Sequence, residues 1–211
     1  MVYQAEYIWH DGTQPTQGLR SKTRLVTLSE KVSIQDFPQW SFDGSSTNQA
    51  SGNDSDLFLE PVSFIEDPIR GAGNYLVLCE VFLPDGTAHP TNHRAKLRDV
   101  LDQGGADHEP YFGFEQEYTF FSGERPLGWP EQGYPEPQGL YYCGLGANQI
   151  FGREIVEAHT QACIDAGLNL YGINAEVMGA QWEFQIGYRG FDGDDNDALV
   201  TLDHKTFATY L

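Results

Sequence analysis

Residues 111–121 read YFGFEQEYTFF, and their side chains alternate with a period of two. In a β-strand, such alternation sends successive side chains to opposite faces of the sheet. Glu115 and Glu117 then share one face, while Phe114 and Tyr118 share the other. The stretch therefore predicts a strand with one acidic face and one apolar face.

A second strand of the same kind is predicted at residues 181–186. Glu183 lies between two glutamines on one face, and Trp182, Phe184 and Ile186 form the other face. Two strands in this part of the chain are therefore predicted to point a carboxylate away from a bulky apolar surface.

A helix is predicted between these strands. Residues 153–166 carry Ile155, Val156 and Cys163 on a helical stripe, and Gly167 can supply the left-handed residue that ends a helix. The spacing predicts that this stripe packs against the rest of the domain.

Two shorter helices are predicted at residues 94–103 and 203–211. Gly104 and Gly105 end the first of these helices, and a polar stretch follows them. We therefore expect a domain boundary here, which gives one domain at residues 1–104 and a second at residues 105–211.

Short strands and turns are predicted for the first hundred residues. Residues 5–9 and 19–26 fit an opening hairpin, and the nearly continuous apolar run at residues 74–83 fits a central strand. Residues 42–56 have almost nothing to bury and are predicted to form a loop. Asp43 stands in this loop next to a glycine, and such a pair on its own indicates only a turn.

The composition excludes several classes of protein. A formal charge of −19, from 31 acidic and 12 basic residues, would repel nucleic acid. No run of apolar residues is long enough to span a membrane and no leader is recognisable, so a cytoplasmic location is expected. Three widely spaced cysteines indicate buried free thiols rather than disulfides. The acidic surface is also consistent with a high-salt host, a hypothesis that the salt dependence of stability can test.

The glutamates suggest a metal site. Glu115 and Glu117 alone fit a solvated strand face, but Glu176 and Glu183 add two more carboxylates on predicted rigid elements. Hard divalent cations take oxygen ligands. Mg²⁺ or Mn²⁺ is the expected ion, because the sequence has no Cys or His cluster that would favour a softer metal. A metal site and a solvated acidic face both remain open at this point.

Three motifs then resemble successive signatures of one enzyme family. They are WSFDGSST at residues 40–47, FGFEQEY at residues 112–118 and NAEVMGAQWEFQIG at residues 174–187. Their order and spacing resemble those of glutamine synthetase, in its eukaryotic-type (type II) branch. The likeness covers essentially the whole chain.

The resemblance implies a fold and a reaction. The fold would be α+β, with an amino-terminal β-grasp domain followed by the first part of the catalytic domain, an antiparallel sheet with helices. The reaction would be ligation of ammonia to glutamate, through a glutamyl phosphate made from ATP. Glutamate, ammonium and ATP would be the substrates, Mg²⁺ or Mn²⁺ the cofactor, and a homo-oligomeric ring the full-length assembly.

The resemblance also implies the ligands of two metal ions. Glu117, Glu176 and Glu183 match the three carboxylates of the metal that faces glutamate. Glu115 matches one ligand of the metal that faces the nucleotide, whose other protein ligands lie further along the family's chain. The first site would be whole and the second would be broken.

The same resemblance implies roles for residues in two loops. Asp43 matches the carboxylate that takes a proton from ammonium, and Ser46 and Asp56 look like its companions. Trp129 matches an aromatic residue that contacts the nucleotide, although a packed core tryptophan is the alternative.

The chain departs from the family pattern in three places. Gly179 and Leu140 stand where proline is common, and the sequence stops at Leu211, before the family's later segments. It is interpreted as a partial chain of an ordinary enzyme, with a non-catalytic short paralogue that serves as a binding or assembly partner as the alternative. A β-rich cation-binding module is a third interpretation, which explains the glutamate faces but not the Asp43 loop. We expect the chain alone to lack ligase activity and to be poorly soluble.

Overall fold

The computed structural model describes residues 1–187 and 197–211, without the side chain of Asp197. It divides into two compact units, which comprise residues 1–109 and residues 110–209. The domains at residues 1–104 and 105–211 stay a prediction. Within the described residues, no helix is long and apolar enough to cross a membrane.

The first unit is built on a five-stranded sheet in which the central strand is the most apolar one. The strands are β1 (Val2–His10), β2 (Leu19–Thr27), β3 (Trp40–Asp43), β4 (Asp56–Glu66) and β5 (Tyr75–Phe82), in the spatial order β2-β1-β5-β4-β3. β1 runs parallel to β5, and the other neighbours are antiparallel. The predicted hairpin and the predicted central strand are confirmed. Seven of the eight residues of β5 are buried, as a strand covered on both faces requires.

The predicted loop at residues 42–56 is wrong at its amino-terminal end. Phe42 belongs to β3 and pairs with Leu57, and its ring lies 5.0 Å from the ring of Trp9 in the core. Residues Gly44–Thr47 then form a 3-10 helix. Burial of an aromatic side chain therefore extends regular structure to the residue before the first glycine.

One helix closes the first unit. α1 (His93–Val100) begins where the side chain of Asn92 accepts a hydrogen bond from the Ala95 amide at 2.9 Å, and it passes into a π-helical turn at Leu101–Gly105. Gly104 has a φ of 101°, which a residue with a side chain rarely adopts. The predicted helix and its glycine end are confirmed.

The second unit contains a three-stranded antiparallel sheet. Its strands are β6 (Phe114–Thr119), β9 (Leu170–Ala175) and β10 (Gln181–Ile186), in the order β6-β10-β9. Two short strands, β7 (Phe121–Ser122) and β8 (Arg125–Pro126), pair with each other. The two predicted alternating strands are confirmed, since Trp182, Phe184 and Ile186 are all buried on one face of β10.

Two helices complete the second unit. α2 (Arg153–Asp165) packs Val156 near Trp182 and Ala175, and Gly167 follows it with a φ of 70°. The predicted stripe is wrong at Ile155, which is half exposed because it lies at the edge of the buried face. α3 (Asp197–Tyr210) starts six residues before the predicted start at Asp203. The cysteine prediction also needs one correction, because Cys143 is exposed on a loop.

Candidate functional site

Three carboxylates converge on the polar face of the second sheet. Glu117 of β6 and Glu183 of β10 are direct neighbours in the strand register, and Glu176 is the first residue after β9. One carboxylate oxygen from each of the three lies within 4.8 Å of the others. Within the described parts of the chain, this is the one group of three or more potential metal ligands.

The connection between β9 and β10 brings Glu176 to this face. The Glu176 amide donates a hydrogen bond to the Gln181 carbonyl at 2.8 Å, which closes the loop between the strands. Ala180 adopts a φ of 64°, an uncommon conformation for a residue with a side chain. Backbone geometry rather than side-chain reach therefore places the third carboxylate.

Burial separates the carboxylates into two kinds. Glu176 and Glu183 are only 8% and 5% exposed, whereas Glu115 and Glu117 are exposed. Across the described residues, no ion pair includes Glu117, Glu176 or Glu183. A solvated strand face accounts for the exposed glutamates, but it does not account for two buried carboxylates without a cationic side chain.

The donor set of this cluster fits a hard divalent cation. Carboxylate oxygens are the ligands that Mg²⁺ and Mn²⁺ prefer, and two of these three carboxylates project from paired strands. Their mutual repulsion would be relieved by a bound cation. The cluster of Glu117, Glu176 and Glu183 can therefore hold a divalent ion.

Glu115 lies outside this cluster. It lies two residues before Glu117 on β6, where it pairs with Gln185 of β10. It lines a cleft together with Tyr111, Phe114 and Tyr171. The structure thus places Glu115 on the same face as Glu117 but does not bring it into the three-carboxylate group.

Asp43 lies in the first unit, where β3 ends. One of its carboxylate oxygens accepts hydrogen bonds from the Ser45 hydroxyl at 2.6 Å and the Ser45 amide at 3.0 Å, and the other accepts one from the Ser46 hydroxyl at 2.8 Å. These bonds, led by that of the Ser45 hydroxyl, lower the pKa of Asp43 to about 2. Asp56 is its direct partner in the register of β3 and β4. Asp43 is therefore a permanently charged, exposed carboxylate at ordinary pH.

Ser45 was missed by sequence reasoning. An aspartate side chain often accepts a hydrogen bond from the amide two residues later and so forms a turn. The Asp-Gly-Ser order of residues 43–45 could therefore have indicated that Ser45 contacts Asp43.

A buried polar network holds the segment that follows Asp43. Gln49 accepts from the Thr47 hydroxyl at 2.8 Å and donates to the Thr91 hydroxyl at 2.9 Å. His89 Nε2 is 2.7 Å from the Gln49 carbonyl oxygen. Sequence reasoning missed these residues as well, because the contacts join positions about 40 residues apart in the chain.

Trp129 lies half-buried on the long loop between β8 and α2. Its indole nitrogen is buried and has no hydrogen-bond partner among the described residues. Gly128 precedes it with a φ of 77° and lies against the ring of Phe151. The nucleotide contact and the packed core alternative for Trp129 both stay predictions.

The fold and the acidic sheet face together define a class: an α+β protein with a carboxylate cluster suited to a divalent cation. Residues 1–84 match the family model for the glutamine synthetase β-Grasp domain. Beyond these residues, the chain is similar to the amino-terminal portion of curated glutamine synthetases, in agreement with its three motifs.

Relatives from distant organisms show how far this similarity extends. The chain is 60% identical over 188 residues to the glutamine synthetase of Streptomyces hygroscopicus, which covers 89% of this chain and 54% of that protein. It is 53% identical over 210 residues to the glutamine synthetase of Agaricus bisporus, which covers 99% of this chain and 56% of that protein. The chain thus spans about half the length of the curated relatives it matches.

Solved structures show the same fold. A complex of GmaS with ADP superposes with a TM-score of 0.65 at 18% identity, over 97% of this chain and 45% of that chain. The cryo-EM structure of Plasmodium falciparum glutamine synthetase gives a TM-score of 0.62 at 13% identity, over 99% of this chain and 44% of that chain. The α+β fold predicted from the sequence is therefore confirmed.

Proposed function

We propose that this chain provides the glutamate-facing metal site and the ammonium-binding loop of an ATP-dependent glutamate–ammonia ligase. The observation that carries the proposal is the convergence of Glu117, Glu176 and Glu183 within 4.8 Å on one sheet face. The relatives named above support the same activity. By this proposal, the ligase acts in the cytoplasm as a homo-oligomeric ring.

The three glutamates would hold Mg²⁺ or Mn²⁺. When bound, such an ion neutralises the charge on the phosphoryl group that is transferred from ATP to the glutamate side chain. The contribution of the protein is geometric. Glu183 and Glu117 are fixed by strand pairing, and Glu176 is fixed by the loop from β9 to β10, so the ligand oxygens need little reorganisation.

Asp43 would act on ammonium. With a pKa of about 2, its carboxylate stays charged and attracts a cation, but it is a weak proton acceptor. Ammonium has no lone pair, so it must give a proton to Asp43 before its nitrogen can attack. This transfer is unfavourable by itself, and it is drawn forward because the resulting ammonia is consumed when it bonds to the acyl carbon and phosphate leaves. Ser46 holds the carboxylate in place, and Asp56 adds negative charge beside it.

Glu115 and Trp129 would serve the nucleotide. Glu115 would be one ligand of a second metal ion that contacts ATP, and Trp129 would contact the base. In the described residues, no further group joins Glu115 in a ligand cluster. A second metal site would therefore need ligands beyond those that the described residues bring together.

Binding of Mn²⁺ to the 211-residue chain tests the proposal. Replacement of Glu176 by Gln removes one of three carboxylates, so we expect the dissociation constant for Mn²⁺, measured by electron paramagnetic resonance of the free ion, to rise at least about tenfold. Glu157→Gln is the matched control, since Glu157 lies on α2 and, among the described residues, forms an ion pair with Arg153 at 2.8 Å. Equal affinity of Glu176→Gln and the wild type would reject the site.

A further inference from the structure

We infer that three carboxamides, Asn174, Gln181 and Gln185, are positioning residues that orient the three metal-binding carboxylates. The inference rests on the proposed function, because it deals with the same site. It assigns a role to side chains that are not themselves ligands.

Each carboxylate of the cluster has its own carboxamide donor. Gln181 donates to Glu117 at 2.7 Å, and Gln185 donates to Glu183 at 2.7 Å. Asn174 donates to Glu176 at 3.0 Å. This one-to-one pairing leaves no carboxylate of the cluster without a side-chain hydrogen bond.

The carboxamides are themselves held in place. Gln185 also donates to the Asn174 side-chain oxygen at 3.3 Å, so one amide links two of the pairs. The side-chain oxygen of Gln181 accepts from the Met178 amide at 3.1 Å, which leaves its nitrogen to face Glu117. The Gln185 oxygen lies against Gly172, where an added Cβ would approach it to 2.9 Å. Two of the three pairs are therefore linked to each other, and the third is held by the backbone of the loop between β9 and β10.

Neutral donors suit this task better than cationic ones. A Lys or Arg would hold a carboxylate equally well, but it would cancel the negative charge that attracts a metal ion. An amide fixes the orientation of a carboxylate and leaves its charge intact. A carboxylate oxygen that accepts one hydrogen bond keeps a further lone pair for a ligand bond.

Fixed ligand directions should matter more for some ions than for others. Mg²⁺ requires nearly ideal octahedral geometry, whereas Ca²⁺ accepts flexible coordination at longer distances. Loss of a positioning amide should therefore lower the affinity for Mg²⁺ and Mn²⁺ more than the affinity for Ca²⁺. A general loss of folded structure would instead lower the affinities for all three ions by the same factor.

The test measures ion affinities of the 211-residue chain. Gln185→Met keeps the size of the side chain but removes the donor to Glu183 and Asn174. We expect the dissociation constant for Mn²⁺ to rise about 10- to 100-fold, as for other residues that orient metal ligands. Competition with Mn²⁺ then gives the Mg²⁺ and Ca²⁺ affinities, and we expect the preference for Mg²⁺ over Ca²⁺ to fall.

Controls separate positioning from folding. Gln161→Met removes a comparable bond from glutamine to a carboxylate, to Asp165 at 2.8 Å on α2, and should change no ion affinity. Gln181→Met provides a second variant if Gln185→Met does not fold, as judged by circular dichroism. Two results would overturn the positioning role but leave the proposed metal site intact. One is an unchanged Mn²⁺ affinity in a folded variant, and the other is an equal loss of affinity for Mg²⁺ and Ca²⁺. Absence of Mn²⁺ binding by the wild type would instead reject the proposed metal site.

Discussion

The Asp43 carboxylate shows how two adjacent serines set the charge state of one group. Its pKa of about 2 arises from hydrogen bonds, because the side chain is exposed and desolvation contributes little. Since the folded pKa lies below the ordinary value of 3.8, this group stabilises the fold above that pH. The contribution is lost as the pH falls through about 2.

Replacement of Ser45 by Ala should raise the pKa of Asp43. The Ser45 hydroxyl makes the strongest of the bonds that favour the charged form, so Ser45→Ala should raise it more than Ser46→Ala does. A carbon-detected NMR titration of the side-chain carboxyl measures both shifts. Asp85, whose pKa is lowered by Thr87, is the internal control and should not move. An unchanged pKa of Asp43 in both variants would contradict this account.

At the level of elements, a buried charge cluster attaches α1 to the first sheet. Glu80 of β5 is buried and accepts from Arg94 at 2.8 Å and from Arg98 at 2.8 and 2.9 Å. Asn92 donates to the same carboxylate at 3.3 Å while it caps the helix. The first and last turns of α1 are thus fixed to the central strand by a single glutamate.

Replacement of Glu80 by Gln should detach this helix. The substitution removes the buried negative charge that Arg94 and Arg98 share. Loss of these ion pairs costs about 3 kcal/mol, at the low end of the usual range because Arg98 can turn to solvent. Hydrogen exchange of the β5 amides measures this loss of stability. Glu60→Gln is the matched control: Glu60 faces Glu80 in the register but is exposed, so its effect should stay within about 0.5 kcal/mol. An equal effect of both variants would show that the cluster does not anchor α1.

The elements also show where local sequence is informative. β6 and β10 were predictable because each alternates strictly, and a one-residue slip would expose Trp182. The start of α3 was missed because residues 198–202, ALVTL, include β-branched residues with weak helix preference. Ala198 and Thr201 are buried, so packing overrides that preference.

At the scale of the molecule, long-range pairing determines what the sequence could not show. Alternation predicted that Glu117 and Glu183 face away from the apolar side, but their direct pairing joins strands more than 60 residues apart. The amide partners of the carboxylates depend on that register. Without the family resemblance, a solvated acidic face would have remained an equal interpretation of the same pattern. The roles of the site residues themselves stay predictions.

The net charge of −19 gives a prediction for the whole molecule. Like charges repel in the compact state, and dissolved salt screens them over a distance that falls from about 30 Å at 0.01 M to about 10 Å at 0.1 M. We therefore expect the melting temperature to rise with KCl, most steeply below about 0.2 M. All samples should contain a chelator, so that a divalent ion at Glu117, Glu176 and Glu183 does not add to the effect. A continued rise to molar KCl would support adaptation to high salt. A fall in melting temperature over the whole range would show that attractive ion pairs, such as Arg94 with Glu80, outweigh the repulsion.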